Sequence, residues 1–343
     1  MMKKYLNQSA LVVATCCTLA LSACGEQSTE QTVAVESSQQ QTQALEFYVS
    51  PQGQAGNLGT QASPFASIQA ARDAIRALDA AQRNQDIVVW LAGGIYTLTE
   101  TLVLNRQDGG QGESFVHYRA VADETPAISS GKAVNDWSKL TTEVEGLPEI
   151  AKGNVWVADV TAEEYGRFTA MFAGDKRLPR ARSARFDGVK PTGYDIADSR
   201  NVMHKKDRQL LKEITYKVGA PIRDWKNLDD IEVFFNPVPW ALNFIPLESI
   251  DLDKQLLTLK YEANAPAFSQ NSPWATIENA VDFIDQAGEW AHNSLTGKLY
   301  YWPYDGQAPH DIAIPQLKEL VRVEGDIDYD GPVDQPVKNI SFE

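Results

Sequence analysis

The spacing of apolar residues changes along the chain, and each spacing predicts a different element. From Ser67 to Arg83 the spacing is helical. Ser67 is the candidate N-cap, and Ser63 with Pro64 at the first helical position is the alternative. The apolar stripe of this predicted helix consists of Ile68, Ala71, Ile75 and Leu78. The run Ile87–Leu91 is apolar at every position, as in a strand that is buried on both faces. A helix that buries one face just before such a strand suits a cap that covers an open sheet edge.

Beyond residue 134, apolar and polar residues alternate, which is typical of antiparallel strands with one face in water. Val155–Val160 and Leu256–Tyr261 both show this alternation. Glu289–His292 and Lys298–Trp302 flank a turn that contains Gly297, and they predict a β-hairpin. The alternation therefore predicts a β-rich block that extends to about residue 312.

Short strands of the earlier kind return near the end, at Leu320–Val323 and Val337–Phe342. The sequence therefore predicts a mainly β fold, namely the start of a right-handed parallel β-helix with an N-terminal capping α-helix and a β-rich insertion domain. The predicted boundaries are 45–133 for the cap and first coils, 134–312 for the insertion domain, and 313–343 for the returning coils. We expect this solenoid to be cut short at Glu343.

The first residues predict an export segment. Lys3 and Lys4 precede the apolar stretch Ala10–Ala20, which is too short to span a membrane as a mature helix. Leu21–Cys24 resembles the lipobox of bacterial lipoproteins, which implies a signal peptide over residues 1–23 and lipidation of Cys24. Acyl chains anchor a protein firmly because each buried CH₂ contributes about 0.8 kcal/mol.

From this resemblance we expect a lipid-anchored protein of the bacterial cell envelope, in the outer membrane on its periplasmic or surface face. An ordinary signal peptide with a coincidental cysteine is the alternative. Residues 24–44 are rich in Gln, Ser, Thr and Glu and contain no aromatic residue, so they predict a disordered tether.

Composition argues against certain classes of partner and of catalytic chemistry. The 343 residues carry a formal net charge of -15, which argues against nucleic acid because phosphate binding requires an excess of Lys and Arg. The chain has three cysteines. Cys16 and Cys17 would leave with the signal peptide and Cys24 would carry the lipid, so we expect no thiol to remain for a disulfide, a nucleophile or a metal site. The four histidines show no metal-ligand spacing, and no Gly-rich phosphate loop occurs. We expect no metal and no cofactor.

One acidic pattern has two interpretations. Asp326, Asp328 and Asp330 alternate before Gly331, as at the start of a calcium loop. The glutamate that would complete such a loop is missing at the required distance, so the pattern favours an acidic turn between coils.

A set of short motifs is specific when taken together. The motifs are Phe47–Pro51, Pro64–Ala74, Val89–Tyr96, Lys176–Arg177, Arg180–Arg182, Glu278–Asn279, Asp285, Gly288–Trp290 and Thr296–Pro303. From Phe47 to its end the chain resembles bacterial right-handed β-helix proteins related to glycoside hydrolase family 141. The block 134–312 resembles the insertion domain that such proteins carry between their first coils and the main solenoid.

The resemblance implies a poly- or oligosaccharide partner and an activity such as that of an α-fucosidase or a xylanase. It also implies that the acidic catalytic residues lie in coils beyond Glu343. One departure from the family is Ala287–His292, where the family usually has Pro-Gly-Glu-Trp followed by Tyr and an acidic residue.

Glu289 is the candidate catalytic acid within this chain. Glycoside hydrolysis requires two carboxyl groups that flank the scissile bond. Trp290 is an apolar neighbour of Glu289, and an apolar neighbour raises a carboxyl pKa. The alternative is a structural ion pair of Glu289 at the start of the predicted hairpin.

Two groups of residues are candidates for substrate binding. Arg177, Arg180 and Arg182 partly alternate along one extended segment, where they could bind sugar hydroxyls or an acidic sugar. A solvated or structurally paired face is the alternative. The tryptophans that could stack on sugar rings are Trp225, Trp240, Trp274 and Trp290, for which core packing is the alternative.

Two hypotheses of different classes follow. In the first, the chain is the N-terminal part of a lipid-anchored, β-helical, glycoside hydrolase-like protein that acts on a polysaccharide and is inactive as this piece. In the second, it is a non-catalytic surface lipoprotein that binds polysaccharide or has a structural role. A polysaccharide lyase-like β-helix is a further alternative.

Overall fold

The computed structural model describes residues 44–190, 208–238, 240–268, 274–331 and 333–343. Within them the chain is mainly β, which confirms the predicted class, and it has two short α-helices. These are α1 (Ile68–Arg76) and α2 (Ala162–Tyr165), and further 3-10 helices lie at Gln82–Asn84, Glu149–Ala151, Arg208–Leu211 and Val281–Phe283. The predictions for residues 1–43, including Cys24 and the tether, lie outside the described residues.

The strands follow one another closely along the chain. In chain order they are β1 (Leu45–Val49), β2 (Ile87–Leu91), β3 (Gly94–Thr97), β4 (Leu102–Leu104), β5 (Val116–Ala120), β6 (Pro126–Ser129), β7 (Gly131–Ala133), β8 (Ser138–Lys139), β9 (Trp156–Asp159), β10 (Phe172–Ala173), β11 (Lys176–Arg177), β12 (Phe186–Asp187), β13 (Glu213–Thr215), β14 (Glu232–Val238), β15 (Ala241–Asp251), β16 (Leu256–Leu259), β17 (Trp274–Glu278), β18 (Trp290–Asn293), β19 (Lys298–Tyr301), β20 (Ile312–Pro315), β21 (Val321–Val323) and β22 (Ile340–Phe342).

Strands from both ends of the described chain pair in parallel. One sheet has the order β1-β2-β5-β22, while β3 pairs with β6 and β4 pairs with β21. The successive strands β2, β3 and β4 therefore pair one to one, in chain order, with β5, β6 and β21. Apolar side chains of these strands pack with the buried face of α1 into one core.

The strands from β7 to β20 pair antiparallel. They form three sheets, with the orders β11-β10-β20-β7, β18-β19-β9-β8 and β12-β17-β14-β15-β16-β13. The six-stranded sheet buries one face, which carries Val233, Phe235, Ile245, Leu247, Ala275 and Ile277. Because successive side chains of a strand point to opposite faces, the intervening residues of β14, β15 and β17 lie on the outer face of this sheet. The first and last strands of the antiparallel set, β7 and β20, pair with each other.

Helix α1 begins as predicted but ends sooner. The Ser67 hydroxyl accepts the capping hydrogen bond from a backbone N–H at 3.1 Å. The predicted extension to Arg83 is wrong, because α1 ends at Arg76. The buried Arg83 side chain donates hydrogen bonds to Ile75 O at 3.1 Å and to Gly109 O at 2.6 Å. The chain has to fold back over the C-terminus of α1 to place this guanidinium group.

Other local predictions are confirmed. Ile87–Leu91 forms β2 with the predicted bounds and is almost entirely buried. The predicted hairpin is present as β18 and β19, and Gly297 in its turn has a φ of 64°. No helix among the described residues is long and apolar enough to cross a membrane.

Candidate functional site

The extended segment from Leu178 to Ser183 connects two of the antiparallel sheets. On one side, Ala181 N donates a hydrogen bond to Trp290 O in β18 at 2.8 Å. On the other side, Asn279 N at the end of β17 donates to Ala181 O at 2.8 Å. Hydrogen bonds to both sides hold the backbone of this segment in place, so they also position the arginines on either side of Ala181.

Arg180 lies between two buried glutamates. Glu232 of β14 and Glu278 of β17 are direct cross-strand partners, and their side chains are only 7% and 5% exposed. Arg180 Nη2 donates to both carboxylates, at 2.8 Å to Glu278 Oε2, and Arg180 Nε donates to the same Glu278 oxygen at 3.2 Å. Like charges directly opposite each other on neighbouring strands repel, so the shared cation is what allows both glutamates to be buried.

Two further arginines complete this arginine–glutamate cluster from the solvent side. Arg167 Nη2 lies 3.1 Å from Glu232 Oε1, and Arg182 Nη2 lies 2.6 Å from Glu278 Oε1. Both of these arginine side chains are about half exposed. Three arginines and two glutamates give the cluster one positive charge in excess.

The cluster lies beside an open cleft of about 750 Å³. Arg180 and Arg182 line this cleft together with Arg177, Glu289 and Phe244. The structure therefore brings the three arginines and the glutamate that the sequence singled out to one place. Their proximity results from the way the connecting segment and the β18 strand lie side by side.

Glu289 is a buried acceptor at one side of the cleft, with only 4% of its surface exposed. Its Oε2 accepts hydrogen bonds from Asp285 N at 2.9 Å and Gln286 N at 3.3 Å, and its Oε1 accepts one from Gln286 Nε2 at 3.1 Å. Burial raises the pKa of this carboxyl, while the N–H groups that bind it act in the opposite direction. The partners found among the described residues are N–H groups rather than the cation that the ion-pair alternative required.

A row of aromatic side chains lies next to the cluster on the outer face of the six-stranded sheet. The Phe234 ring is 4.6 Å from Phe244 and 5.9 Å from Trp274, measured between ring centroids. Arg182 lies over Phe234 at 5.4 Å, and Arg185 lies over Trp274 at 3.9 Å. We call Phe234, Phe244 and Trp274 the aromatic row. Phe244 is 45% exposed and also lines the cleft, so the two features are continuous.

The other candidate tryptophans lie elsewhere. The prediction that Trp290 offers a ring to a sugar is wrong, because this side chain is fully buried, stacks on Phe168 at 5.7 Å and donates from Nε1 to Leu178 O at 3.3 Å. Trp225 is buried as well. Trp240 is 83% exposed at the turn between β14 and β15, and it does not line the cleft.

Glu232, Glu278 and Arg167 had no assigned role in the sequence analysis. A usable signal was present, because Glu232 directly precedes an apolar run in β14 and Glu278 directly follows one in β17. A charged residue that continues a buried strand is fully buried only when it is paired. That signal identifies both glutamates as members of ion pairs, but it does not identify their shared partner.

The described residues offer no cluster of three or more His, Cys, Asp or Glu side chains that could hold a metal ion. Of the predicted acidic turn, Asp326 is bridged by backbone hydrogen bonds to Gln335 and forms an ion pair with Arg106 at 2.8 Å. His292 is buried, and burial lowers its pKa. His204 lies outside the described residues.

Comparisons with known proteins identify a shared fold. No protein-family model and no curated protein match the sequence. A solved structure described as a glycoside hydrolase is 23% identical, with a TM-score of 0.62, over 88% of this chain and 50% of that chain. This chain therefore spans half the length of that structure. A structure of XylC in complex with xylose is 14% identical over 87% of this chain and 34% of that chain, with a TM-score of 0.30, which is too low to indicate a common fold.

Removal of Arg180 tests whether this side chain is the shared counter-ion of the two buried glutamates. We expect Arg180→Met to lower the free energy of unfolding by about 3–5 kcal/mol, because it leaves two buried carboxylates without their common partner. The triple variant Arg180→Met, Glu232→Gln, Glu278→Gln should recover most of this loss, since the buried negative charges are removed as well. Urea denaturation measures both effects.

The matched control is Arg208→Met, which breaks the solvated pair of Arg208 with Glu262 and should cost much less. A triple variant that is less stable than Arg180→Met would contradict the role of Arg180 as a shared counter-ion.

Glu289 makes stability depend on pH with a defined sign. Its pKa is higher in the folded than in the unfolded chain, so its contribution to stability is fully present below the unfolded pKa and is lost as the pH rises through the folded pKa. From about pH 4 to pH 7 we therefore expect wild-type stability to fall relative to Glu289→Gln. Urea unfolding of both proteins at several pH values measures the difference.

Glu143→Gln serves as the control for Glu289→Gln, since the Glu143 side chain is 88% exposed. If the free energy of unfolding of the wild type stays level or rises with pH relative to that of Glu289→Gln, the raised pKa of Glu289 is contradicted.

Proposed function

We propose that this chain is the N-terminal part of a glycoside hydrolase-like carbohydrate-active protein and that the cleft binds a saccharide. The observation that carries the proposal is the placement of fixed guanidinium and carboxylate groups beside the aromatic row. Sugars present hydroxyl groups that can hydrogen bond to charged side chains, and they present apolar ring faces that pack on aromatic rings. The fold shared with a glycoside hydrolase structure supports the same class of ligand.

We propose further that the cleft alone does not hydrolyse its ligand. Hydrolysis needs one carboxyl group that donates a proton and a second that acts as base or nucleophile. Glu232 and Glu278 are both engaged by Arg180, and Glu289 accepts hydrogen bonds on both of its oxygens. Non-catalytic polysaccharide binding at the cell surface is consistent with the same geometry, and a polysaccharide lyase-like protein is the third option.

The parallel strands support the proposal of a right-handed β-helix. The ordered pairing of β2, β3 and β4 with β5, β6 and β21 is the pairing that successive coils make. The antiparallel strands β7 to β20 lie between β6 and β21 in the chain, which supports the proposed insertion at 134–312 between coils at 45–133 and 313–343. An experimental structure in which these strands follow a left-handed path would contradict the proposed hand.

The export segment supports a lipid anchor in the cell envelope. If Cys24 carries the lipid, cells that express the chain should incorporate labelled palmitate into it, and Cys24→Ser should remove the label. Label that persists in Cys24→Ser would exclude this cysteine as the lipidation site.

The saccharide proposal predicts a loss of affinity when the cleft loses its exposed ring. We expect Phe244→Ala to weaken binding of oligosaccharides about five- to tenfold, because aromatic packing contributes about 1–1.4 kcal/mol. Affinity electrophoresis against a panel of soluble polysaccharides, followed by calorimetry with the oligosaccharides of those retained, measures the change. The same preparations should release no reducing ends.

Phe115→Ala is the matched control, since Phe115 is 41% exposed but lies in the turn before β5, away from the cleft lining. If both variants weaken binding equally, the cleft is excluded as the binding site. Release of reducing ends by the wild type would contradict the proposed inactivity.

A further inference from the structure

Positive charge is concentrated in one short stretch of an otherwise acidic protein. The ten residues from Lys176 to Arg185 carry Lys176, Arg177, Arg180, Arg182 and Arg185 and contain no Asp or Glu, whereas the whole chain has a net charge of -15. A run of this kind is often a solvated face that binds nothing. The partners of each cation decide whether that explanation applies here.

Within the part of the chain that the structure describes, two of the five cations form ion pairs and three do not. Arg180 and Arg182 bind the buried glutamates of the cluster. Lys176 lies over the Tyr304 ring at 3.7 Å, and Arg185 lies over the Trp274 ring. The Arg177 side chain is exposed and forms no hydrogen bond or ion pair within the described part of the chain, although it lines the cleft.

Of these three cations, Arg177 lines the cleft, whereas Lys176 and Arg185 do not. The charged side chains that line it are Arg177, Arg180, Arg182, Glu232, Glu278 and Glu289, so their formal charges balance. Arg180 and Arg182 pair with the buried glutamates of the cluster, and Glu289 accepts hydrogen bonds from N–H groups. Arg177 is left as the charged lining residue without a partner among the described residues. A planar guanidinium group can bind a carboxylate through two parallel hydrogen bonds. A saccharide that bears a carboxylate would supply the counter-ion that Arg177 lacks among the described residues.

We infer that the saccharide bound by the cleft contains uronic acid residues and that Arg177 binds one of their carboxylates. This inference rests on the proposed saccharide binding. The aromatic row and the fixed groups of the cluster bind the sugar rings and hydroxyls, which acidic and neutral sugars share. Arg177 makes the cleft prefer acidic over neutral sugars, because its guanidinium group has no counter-ion among the described residues.

The test compares acidic oligosaccharides with neutral forms of the same sugars. Tetramers of galacturonate, glucuronate, mannuronate and guluronate and their methyl esters are titrated calorimetrically into the wild type and into Arg177→Gln. In at least one pair, the acid should bind the wild type about tenfold more tightly than its ester, which is the effect of one charge-assisted pair. Arg177→Gln should lose most of this preference without a change in the affinity for the ester, and Arg177→Lys should keep part of it.

Arg106→Gln is the matched control, because Arg106 is also exposed but pairs with Asp326 and does not line the cleft. The inference is overturned if every ester binds the wild type as tightly as its acid, or if Arg177→Gln keeps the full preference. Equal binding of a sulfated oligosaccharide, with the same loss in Arg177→Gln, would show a general anion site and overturn the assignment to carboxylates. Failure of all acids and all esters to bind would count against the proposed function itself.

Discussion

Two buried glutamates that face each other on neighbouring strands impose a constraint on the whole antiparallel part of the chain. Glu232 and Glu278 cannot both be buried as anions unless a cation reaches both of them. That cation comes from a segment outside β14 and β17, and the backbone of this segment is hydrogen bonded to β18 of a different sheet. The electrostatic balance of the six-stranded sheet therefore depends on correct packing of its neighbour.

The same constraint prepares the cleft for a ligand. Arg182 lines the cleft and is half exposed, yet it pairs with Glu278, which is buried at the end of a strand. Side chains that are ordered before binding lose less conformational entropy when a ligand arrives. Since the protein as a whole is acidic, its long-range field does not attract anions. Recognition at this site has to come from short-range contacts.

Local features of the fold could be predicted from the sequence because their causes are local. The Ser67 cap, the apolar run of β2 and the hairpin of β18 and β19 each depend on neighbouring residues. The end of α1 could not be predicted, because it depends on where the distant Gly109 carbonyl accepts a hydrogen bond from Arg83.

The same distinction holds for the site. The arginines of the connecting segment were recognisable as a charged run, whereas the pairing of Glu232 with Glu278 requires knowledge of which strands are neighbours. The sequence left sugar stacking and core packing both open for Trp290, because burial is a property of packing and residue type alone does not determine it; the structure shows core packing.

The pairing of β7 with β20 has a consequence for how the chain folds. Leu102 of β4 pairs with Val321 of β21, although the whole antiparallel set lies between them in the sequence. The entropic cost of closing a flexible loop rises with its length. Once β7 and β20 are paired, however, the two ends of the intervening chain are already neighbours. What remains to be closed is residues 105–130 on one side, which contain β5 and β6, and residues 316–320 on the other. The antiparallel insertion thus lengthens the connection between β4 and β21 far less than its residue count suggests, provided that β7 and β20 pair before the parallel strands meet.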